Sequence, residues 1–377
     1  MVKSLIMQKK KKEGGILLSK ELKVGFIGCG GIAASKHLCA LRKIKDVELV
    51  SFCDLVIERA EQAKEKFGSD HAKTFTDYRK LLEDPRIDVV HICTPNRSHS
   101  EITVAALEAG KHVMCEKPMA INSIEARKML EASKRTGKKL TIGYQNRFRH
   151  DSRYLHELCV RGELGEIYFA KAHAIRRRAV PTWGVFLNES EQGGGPLIDI
   201  GTHALDLTLW MMNNYQPKYV VGSTFHKLSK IKNAANAWGP WDPEKFTVED
   251  SAFGFIVMEN GATIFLESSW ALNTLEEGEA MTTLCGTKGG ADMRGGLRIN
   301  GEKLGKLYTT DVMLGGKGVA YYDSKQEDPA DLEARMWIDC ILNDTEPLVK
   351  PEEALVVTEI LEAIYKSAKT GTEVRFD

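Results

Sequence analysis

A glycine-rich turn between a short apolar run and a helical pattern constrains the fold of this 377-residue chain more than any other feature. The apolar run, residues 22–27, leads directly into Gly28-Cys29-Gly30-Gly31-Ile32-Ala33. In a strand–turn–helix unit, such glycines let backbone amides and the positive end of a helix approach a pyrophosphate. The turn predicts a dinucleotide site that is contacted by Gly28, Gly30, Gly31, Ile32 and Ala33. A tight turn that binds nothing is the alternative.

An acid at the end of the second β-rich run indicates which dinucleotide is bound. Asp54 follows residues 47–53 and lies 21 positions after Ala33. A carboxylate at this point accepts hydrogen bonds from the ribose hydroxyls of an adenosine and repels a 2′-phosphate. Leu55 and Val56 come next, where a 2′-phosphate would favour Arg or Lys. The pattern predicts NAD as the cofactor, in preference to NADP.

Strand-like and helix-like segments alternate as far as residue 143. Further strands are predicted over residues 73–75, 89–93, 112–115 and 139–143, and helices over residues 57–67, 78–82, 98–109 and 124–135. Strict alternation is typical of a doubly wound parallel sheet that is covered on both faces. Residues 21–143 are therefore predicted to form an α/β dinucleotide-binding domain of the Rossmann type.

The pattern changes after residue 143. Asn260-Gly261 separates two β-rich runs, residues 252–259 and 262–270, and Asn-Gly in this setting is the strongest short hairpin signal. Residues 144–377 are predicted to form an α+β domain with a large, mostly antiparallel, open sheet, which binds the substrate. Because a broad uncovered sheet face favours pairing of subunits, we expect a homodimer or homotetramer through this sheet.

The composition excludes several classes of protein. The 52 basic and 52 acidic residues cancel, so nucleic acid is not expected as a partner. The eight cysteines form no CxxC pair, which favours reduced thiols and a cytoplasmic location. No apolar run has the length of a membrane span, and no spacing of histidines and acids predicts a metal site. Residues 1–20, with Lys9 to Lys12, are predicted to be a disordered basic tail.

Polar residues follow the predicted strand at residues 89–93. Ligands of such sheets bind beyond the carboxyl ends of the strands, so Thr94, Asn96 and His99 are candidate cofactor contacts. Alternatively, the side chain of Asn96 or Ser98 caps the helix that follows.

Glu116-Lys117-Pro118 follows the next strand. At a crevice mouth the cation of Lys117 polarises a hydroxyl or carbonyl oxygen, although a solvated lysine in a turn fits the position equally well. Glu116 is expected to contact the cofactor near its nicotinamide ribose or to position Lys117.

A second glycine block, Gly193-Gly194-Gly195-Pro196, precedes an acid and a histidine. Such a bare loop lets the backbone approach a ligand closely. A helix is predicted to begin at Asp199, which places Asp199 and His203 on one helical face. A histidine beside a carboxylate moves protons near neutral pH, so both are candidate catalytic residues, with Asp206 as a partner for the imidazole.

Together these motifs resemble those of the Gfo/Idh/MocA family, the relatives of glucose–fructose oxidoreductase and inositol dehydrogenase. The resemblance extends from Leu22 to the C-terminus. It implies NAD(P)-dependent hydride transfer at a carbon of a sugar, inositol or related polyol. It also implies that Lys117 and His203 are the catalytic pair and that Asp199 binds a substrate hydroxyl. Similarity around Trp183 and the second glycine block to sugar-oxidising relatives further suggests oxidation at C3 of a pyranose.

Indications of the substrate itself are few. Trp183 and the segment Trp238-Gly239-Pro240-Trp241 lie in Gly- and Pro-rich loops and offer flat faces to a sugar ring, unless they belong to the core. Arg147 at the domain junction is a candidate substrate contact. Two other functions stay open: an NAD-dependent glycosidase that works by transient oxidation and elimination, and a sensor that binds the dinucleotide without turnover.

Overall fold

The computed structural model describes residues 21–314 and 327–376. The predicted basic tail, residues 1–20, lies outside the described residues. Two sheets organise the described part of the chain, one of six strands and one of nine. The predicted combination of a parallel Rossmann sheet with a mostly antiparallel second sheet is confirmed.

The first sheet is parallel throughout, with the strand order β3-β2-β1-β4-β5-β6. Its strands are β1 Leu22–Ile27, β2 Val47–Cys53, β3 Lys73–Phe75, β4 Val89–Ile92, β5 His112–Cys115 and β6 Leu140–Ile142. Every residue of β4 is buried, as is expected of a central strand that is covered on both faces, and every residue of the edge strand β6 is buried as well. After β3 the chain crosses back over the sheet to β4, which pairs with β1 on the side opposite β2, and at this reversal the strand ends leave a crevice for ligands.

Helices cover this sheet. They are α1 at residues 31–41, α2 Ile57–Phe67, α3 Tyr78–Leu82, α4 His99–Glu108 and α5 Ser123–Thr136. Part of α1, Ala33–His37, is a π-helical turn. Short 3₁₀ turns at Asn96–Ser98 and Gln145–Phe148 and the helix α6 His150–Val160 complete the passage to the second domain.

The second sheet has the strand order β14-β13-β12-β11-β7-β10-β9-β8-β15. Its strands are β7 Ile167–Ile175, β8 Pro217–Phe225, β9 Ser251–Met258, β10 Thr263–Ser269, β11 Gly278–Gly286, β12 Gly289–Asp292, β13 Arg298–Lys303, β14 Lys306–Asp311 and β15 Val374–Arg375. The predicted hairpin at Asn260-Gly261 joins β9 to β10, whereas β10 and β7 pair in parallel. The sequence did not indicate β11 to β14, because glycine and exposed polar residues interrupt their alternation.

Four further helices complete the described chain: α7 Glu189–Gln192, α8 at residues 196–212 with a π-helical turn at Leu197–Gly201, α9 Pro329–Leu342 and α10 Pro351–Thr370. Although α9 follows the second sheet in sequence, Trp337 and Ile338 on it pack into the core of the first domain with Phe26. The C-terminal part of the chain therefore returns to the dinucleotide-binding domain. Within the described ranges, no helix is long and apolar enough to cross a membrane.

Candidate active site

A cavity of about 670 Å³ extends from the first glycine turn to Asp199 of the second domain. It opens at the carboxyl ends of β1, β2 and β4, where this topology binds ligands. Nine of the predicted site residues line it: Gly28, Gly30, Ile32, Asp54, Thr94, Asn96, Glu116, Lys117 and Asp199. The structure therefore brings together motifs that lie up to 171 positions apart in the sequence.

The first glycine turn has the geometry that a dinucleotide needs. Gly28 has φ +89°, and a Cβ on it would lie 2.6 Å from the carbonyl carbon and oxygen of Cys93, so only glycine fits. A Cβ on Gly30 or Gly31 would meet no atom within 4 Å, which leaves the space before α1 open to a phosphate. Ala33 does not line the cavity. It is buried in the core, where a small residue lets the helix pack closely on the sheet.

Asp54 keeps acceptor capacity toward the cavity. Its Oδ2 accepts a hydrogen bond from the amide of Cys29 at 2.9 Å, and its Oδ1 accepts one from the amide of Val56 at 2.9 Å. Each carboxylate oxygen has a second lone pair, so two ribose hydroxyls can still be bound. The sequence did not single out Arg59, which lines the same end of the cavity with its guanidinium 3.9 Å from Asp54.

Thr94 and Asn96 lie in the cavity wall, and the helix-cap alternative is wrong. The amide of Asn96 donates to the carbonyl of Gln192 at 3.0 Å, and the hydroxyl of Ser98 donates to Thr94 Oγ1 at 2.8 Å. Neither side chain caps α4. The bond from Asn96 joins the two domains across the cavity, and Gln192 is a lining residue that no motif indicated.

His99 does not face the cavity, which corrects its prediction as a cofactor contact. Its side chain is fully buried, and its two ring nitrogens lie 2.8 Å and 2.9 Å from the carbonyl oxygens of Pro118 and Thr94. His99 therefore ties together the loops that follow β4 and β5, and no ring nitrogen is left for a ligand.

Lys117 and Asp199 form an ion pair at the inner end of the cavity. The Lys117 ammonium donates to Asp199 Oδ1 at 3.0 Å and to its backbone carbonyl at 2.9 Å. An ammonium has three donors, so one remains for an oxygen in the cavity. Asp199 Oδ2 accepts from the indole of Trp270 at 3.0 Å. Burial opposes the charge on Asp199, but Lys117 and Arg176 outweigh it and lower the pKa of this carboxyl.

Glu116 is held from behind by a buried ionic cluster. Its Oε1 lies 3.0 Å from the ammonium of Lys36 and 2.7 Å from Nε2 of His37, both on α1. Its Oε2 accepts the backbone amide of Lys117 at 3.1 Å. Lys36 also pairs with Glu333 of α9 at 2.9 Å. Burial disfavours ionisation of Glu116, yet Lys36 and His37 hold its pKa well below the usual range. These contacts support a positioning role for Glu116.

His203 is buried behind Lys117 and Asp199 and is not a lining residue of the cavity. Its ring meets Tyr144 edge-on at 6.3 Å between centroids, and its Nδ1 is buried with no hydrogen-bond partner in the described chain. Burial, reinforced by the charge of Lys117, lowers the pKa of His203 to about 3. The imidazole is therefore neutral across the physiological range.

Asp206 does not hold the imidazole, and Arg147 is not in the cavity; both predictions are wrong. Arg147 is fully buried and makes a two-point ion pair with Asp206, at 3.0 Å and 2.6 Å, and a further pair with Glu353 at 2.5 Å. A buried guanidinium needs such partners for its donors, and these carboxylates supply them. The cluster joins α8, α10 and the loop after β6.

The helix that carries His203 starts earlier than predicted. It begins at Pro196 and passes through a π-helical turn, Leu197–Gly201, so Asp199 lies inside it and is not its cap. The capping carboxylate comes from Glu249, whose oxygens accept the amides of Gly195 at 2.9 Å and Leu197 at 3.1 Å.

The bare second glycine block has a packing role that the sequence did not reveal. A Cβ on Gly193 would lie 2.9 Å from the Cβ of Ile121, and one on Gly194 or Gly195 would overlap Tyr365 or Glu249. These glycines therefore admit close approach of protein atoms. The expectation that they admit a ligand is wrong, because the atoms that approach them belong to the chain itself.

Aromatic side chains stand at the mouth of the cavity. Trp183 is 51% exposed and Trp238 is 43% exposed, with ring centroids 4.9 Å apart. Trp183 directly precedes the lining residues Gly184 to Phe186. Trp241, in contrast, is a core residue whose indole donates to the carbonyl of Ser229.

Known proteins match the chain along nearly its whole described length. A family model described as an oxidoreductase family with an NAD-binding Rossmann fold matches residues 22–144, and the model of its C-terminal alpha/beta domain matches residues 157–376. A D-glucoside 3-dehydrogenase of Escherichia coli (strain K12) is 37% identical over 362 residues, which is 95% of this chain and 98% of that protein. An inositol 2-dehydrogenase of Salmonella typhimurium (strain LT2) is 31% identical over 194 residues, 51% of this chain and 55% of that protein.

Solved structures share the fold at lower identity. An aldose-aldose oxidoreductase from Caulobacter crescentus, complexed with glycerol, superposes with a TM-score of 0.77 at 24% identity and covers 94% of this chain and 100% of that one. A levoglucosan dehydrogenase, in complex with NADH and L-sorbose, superposes with a TM-score of 0.79 at 22% identity, over 94% of this chain and 99% of that one. The family and the NAD-binding fold that the motifs predicted are thus confirmed, and the chain belongs to the Gfo/Idh/MocA family of NAD-binding oxidoreductases.

Proposed function

We propose that the protein is an NAD-dependent dehydrogenase that interconverts a ring hydroxyl and a ketone of a sugar, glycoside or inositol, with C3 of a glucoside as the preferred position. The observation that carries the proposal is the Lys117–Asp199 pair, which leaves one ammonium donor directed at the cavity. The name of the 37% identical relative, D-glucoside 3-dehydrogenase, supports the choice of carbon and sugar.

The cavity residues fit the cofactor. Open space at Gly30 and Gly31 accommodates a pyrophosphate, and Asp54 offers acceptors to an adenosine ribose. NAD, when bound, supplies the hydride acceptor for oxidation, and its reduced form supplies the hydride for reduction. Thr94, Asn96 and Ile32 line the path between the two ends of the cavity and would contact the remainder of the cofactor.

Lys117 stabilises the charge that develops on the reacting oxygen. Two of its donors are fixed on Asp199, so the third keeps a defined direction without reorganisation during the reaction. Asp199 is fixed in turn by Trp270 and accepts a hydrogen bond from a neighbouring substrate hydroxyl. Glu116 holds the backbone of Lys117 and so keeps the ammonium at the correct depth.

His203 receives the proton of the substrate hydroxyl. Its burial keeps the imidazole neutral, as a base must be, and its unpartnered Nδ1 shows that no side chain of the described chain fixes its tautomer. Because His203 does not line the cavity, the proton reaches it from the substrate through a water molecule. In reduction the same residues return the proton, as microscopic reversibility requires.

The test is incubation with NAD and a panel of glucosides, inositols and keto-sugars, with NADH followed by its absorbance. We expect NADH with at least one ring alcohol and a loss of about 10²-fold or more in kcat for Lys117→Met. Consumption of a glucoside without net NADH would instead favour the glycosidase. Tight binding of NAD without turnover of any polyol would favour the sensor.

We also propose that the outer face of the second sheet pairs two subunits. One face of the sheet packs against α8 and α10. The opposite face presents Val221, Phe255 and Phe265 side by side across β8, β9 and β10, and the first two are about 45% exposed. Phe255→Glu should reduce the oligomer to a monomer in light scattering, and a monomeric wild type would refute this pairing.

All eight cysteines are free thiols, which supports a reducing compartment such as the cytoplasm.

A further inference from the structure

The exposed tryptophans belong to an aromatic row that starts inside the cavity wall. Trp270 binds Asp199 and meets Phe186 at 6.4 Å between centroids, Phe186 meets Trp183 at 5.9 Å, and Trp183 meets Trp238 at 4.9 Å. Each contact is edge-to-face, a favourable arrangement of aromatic rings. The row therefore leads from the catalytic ion pair out to solvent without interruption.

Arg176 makes a second connection between Trp238 and Asp199. The guanidinium of Arg176 lies over the ring of Trp238 at 5.3 Å, and its Nη1 is 4.0 Å from Asp199 Oδ2. Glu279 holds this guanidinium with two hydrogen bonds of 2.7 Å. Trp238 is thus placed relative to Asp199 by a fixed charge as well as by ring contacts.

The loops that carry the two tryptophans are joined firmly, although the rings are exposed. The hydroxyl of Thr182 donates to the carbonyl of Trp238 at 2.7 Å. The amide side chain of Asn236 accepts from the backbone of Val180 at 2.8 Å and donates to it at 3.0 Å. Two large apolar rings held half-exposed at a cavity mouth mark a surface that a ligand covers.

We propose that Trp183 and Trp238, with Arg176 behind them, form a second subsite for a ring that is joined to the reacting sugar. This proposal rests on the proposed function and names its substrate class: glycosides with a ring-shaped substituent, either an arene or a second sugar, in preference to free monosaccharides. Most of the cavity wall belongs to the first domain, where the cofactor contacts are predicted. A substituent on the reacting ring therefore extends out through the mouth of the cavity, where indole faces bind the C–H face of a sugar or an arene.

The experiment compares kcat/KM for phenyl β-D-glucoside and cellobiose with kcat/KM for methyl β-D-glucoside. We expect Trp238→Ala and Trp183→Ala each to lower the ratio of a two-ring to a one-ring substrate by about 3- to 10-fold, with recovery in Trp238→Phe. Tyr154→Ala on α6, an aromatic residue of equal exposure (43%) outside the cavity wall, is the matched control and should leave the ratio unchanged. A change with phenyl glucoside alone identifies an arene subsite, and a change with both substrates identifies a general ring subsite.

Equal losses with one-ring and two-ring substrates in the tryptophan variants would overturn the subsite while leaving the dehydrogenase intact. If the wild type oxidises no glucoside, the glucoside preference within the proposed function fails, and calorimetric titration of the NADH-loaded protein with phenyl glucoside then decides the subsite. Binding that Trp238→Ala weakens at least 3-fold would support it, and binding that is absent or independent of Trp238 would overturn it.

Discussion

Replacement of Lys36 by methionine tests whether the cluster behind Glu116 sets the position of the active-site lysine. Methionine has nearly the length of the lysine stem but carries no charge. The substitution removes the partner at 3.0 Å from Glu116 and at 2.9 Å from Glu333. Glu116 keeps His37 and the amide of Lys117, whereas Glu333 is left with no partner among the described residues.

The expected loss of stability follows from burial. The side chains of Lys36, Glu116 and Glu333 are each less than 10% exposed, so the carboxylates left behind have little water to solvate them. Removal of one partner from a buried ion pair costs about 3–5 kcal/mol. For a chain of this size we expect a decrease in Tm of roughly 4–10 °C.

The deficit should depend on pH. In the wild type, the lowered pKa of Glu116 contributes stability that is present above the usual glutamate range and lost as the pH falls through the lowered value. Without Lys36 this pKa rises, so the carboxyl takes up a proton in mild acid. The difference between wild type and variant should therefore be smaller at pH 5 than at pH 8.

The assays are thermal unfolding at pH 5 and pH 8, and steady-state kinetics with a ring alcohol that the substrate panel shows to be oxidised. We expect kcat to fall by about 10- to 100-fold, because Glu116, with His37 as its remaining charged partner, shifts and carries the backbone of Lys117 with it. Lys43→Met is the control: Lys43, in the turn just after α1, pairs with Asp331 of α9, but at the surface and away from the cavity. Equal effects of the two substitutions, or a Lys36→Met deficit that does not change with pH, would refute the reasoning.

Three further expectations concern the cofactor, the base and the domain junction. Asp54→Asn keeps the shape of the side chain but removes its charge, so we expect about 10-fold weaker NADH binding and a smaller preference over NADPH in fluorescence titrations. Because the pKa of His203 is lowered to about 3, the profile of kcat/KM against pH for oxidation should show no decrease from protonation of this group between pH 8 and pH 5. A decrease centred near pH 6.5 that disappears in His203→Asn would contradict the burial of His203. Arg147→Met leaves the buried carboxylate of Asp206 without its ion-pair partner, so urea unfolding should show a loss of about 3–5 kcal/mol in the free energy of unfolding. An unchanged free energy of unfolding would count against the buried pair.

The parts of the site that the sequence predicted are those built from local patterns. Gly28 and Asp54 follow apolar runs whose period identifies strands, and a parallel topology then brings the strand ends to one edge. Lys117 was placed correctly by the same reasoning. For these residues the secondary structure and the topology suffice, because the backbone alone carries the side chain to the crevice.

The residues that were misplaced depend on partners that are far away in the sequence. Arg147 lies in the expected junction, but Asp206 and Glu353 turn its side chain into the interior. His99 follows a strand end like its neighbours, yet two backbone carbonyls occupy its ring. Lys36 gave no signal, because a lysine on a helix is ordinarily solvated and its two carboxylate partners are 80 and 297 positions away.

Lys117 is held by both domains at once. Glu116, anchored on α1 and α9, fixes its backbone amide, while Asp199 of the second domain fixes its ammonium. A rotation of one domain against the other would break one of these contacts and shift the ammonium of Lys117 in the cavity. Because α9 returns from the C-terminal part of the chain to pack under the first sheet, the covalent path itself opposes such a rotation. The position of Lys117 is therefore a property of the domain interface, and we expect substitutions on α9 to change the activity although no residue of α9 lines the cavity.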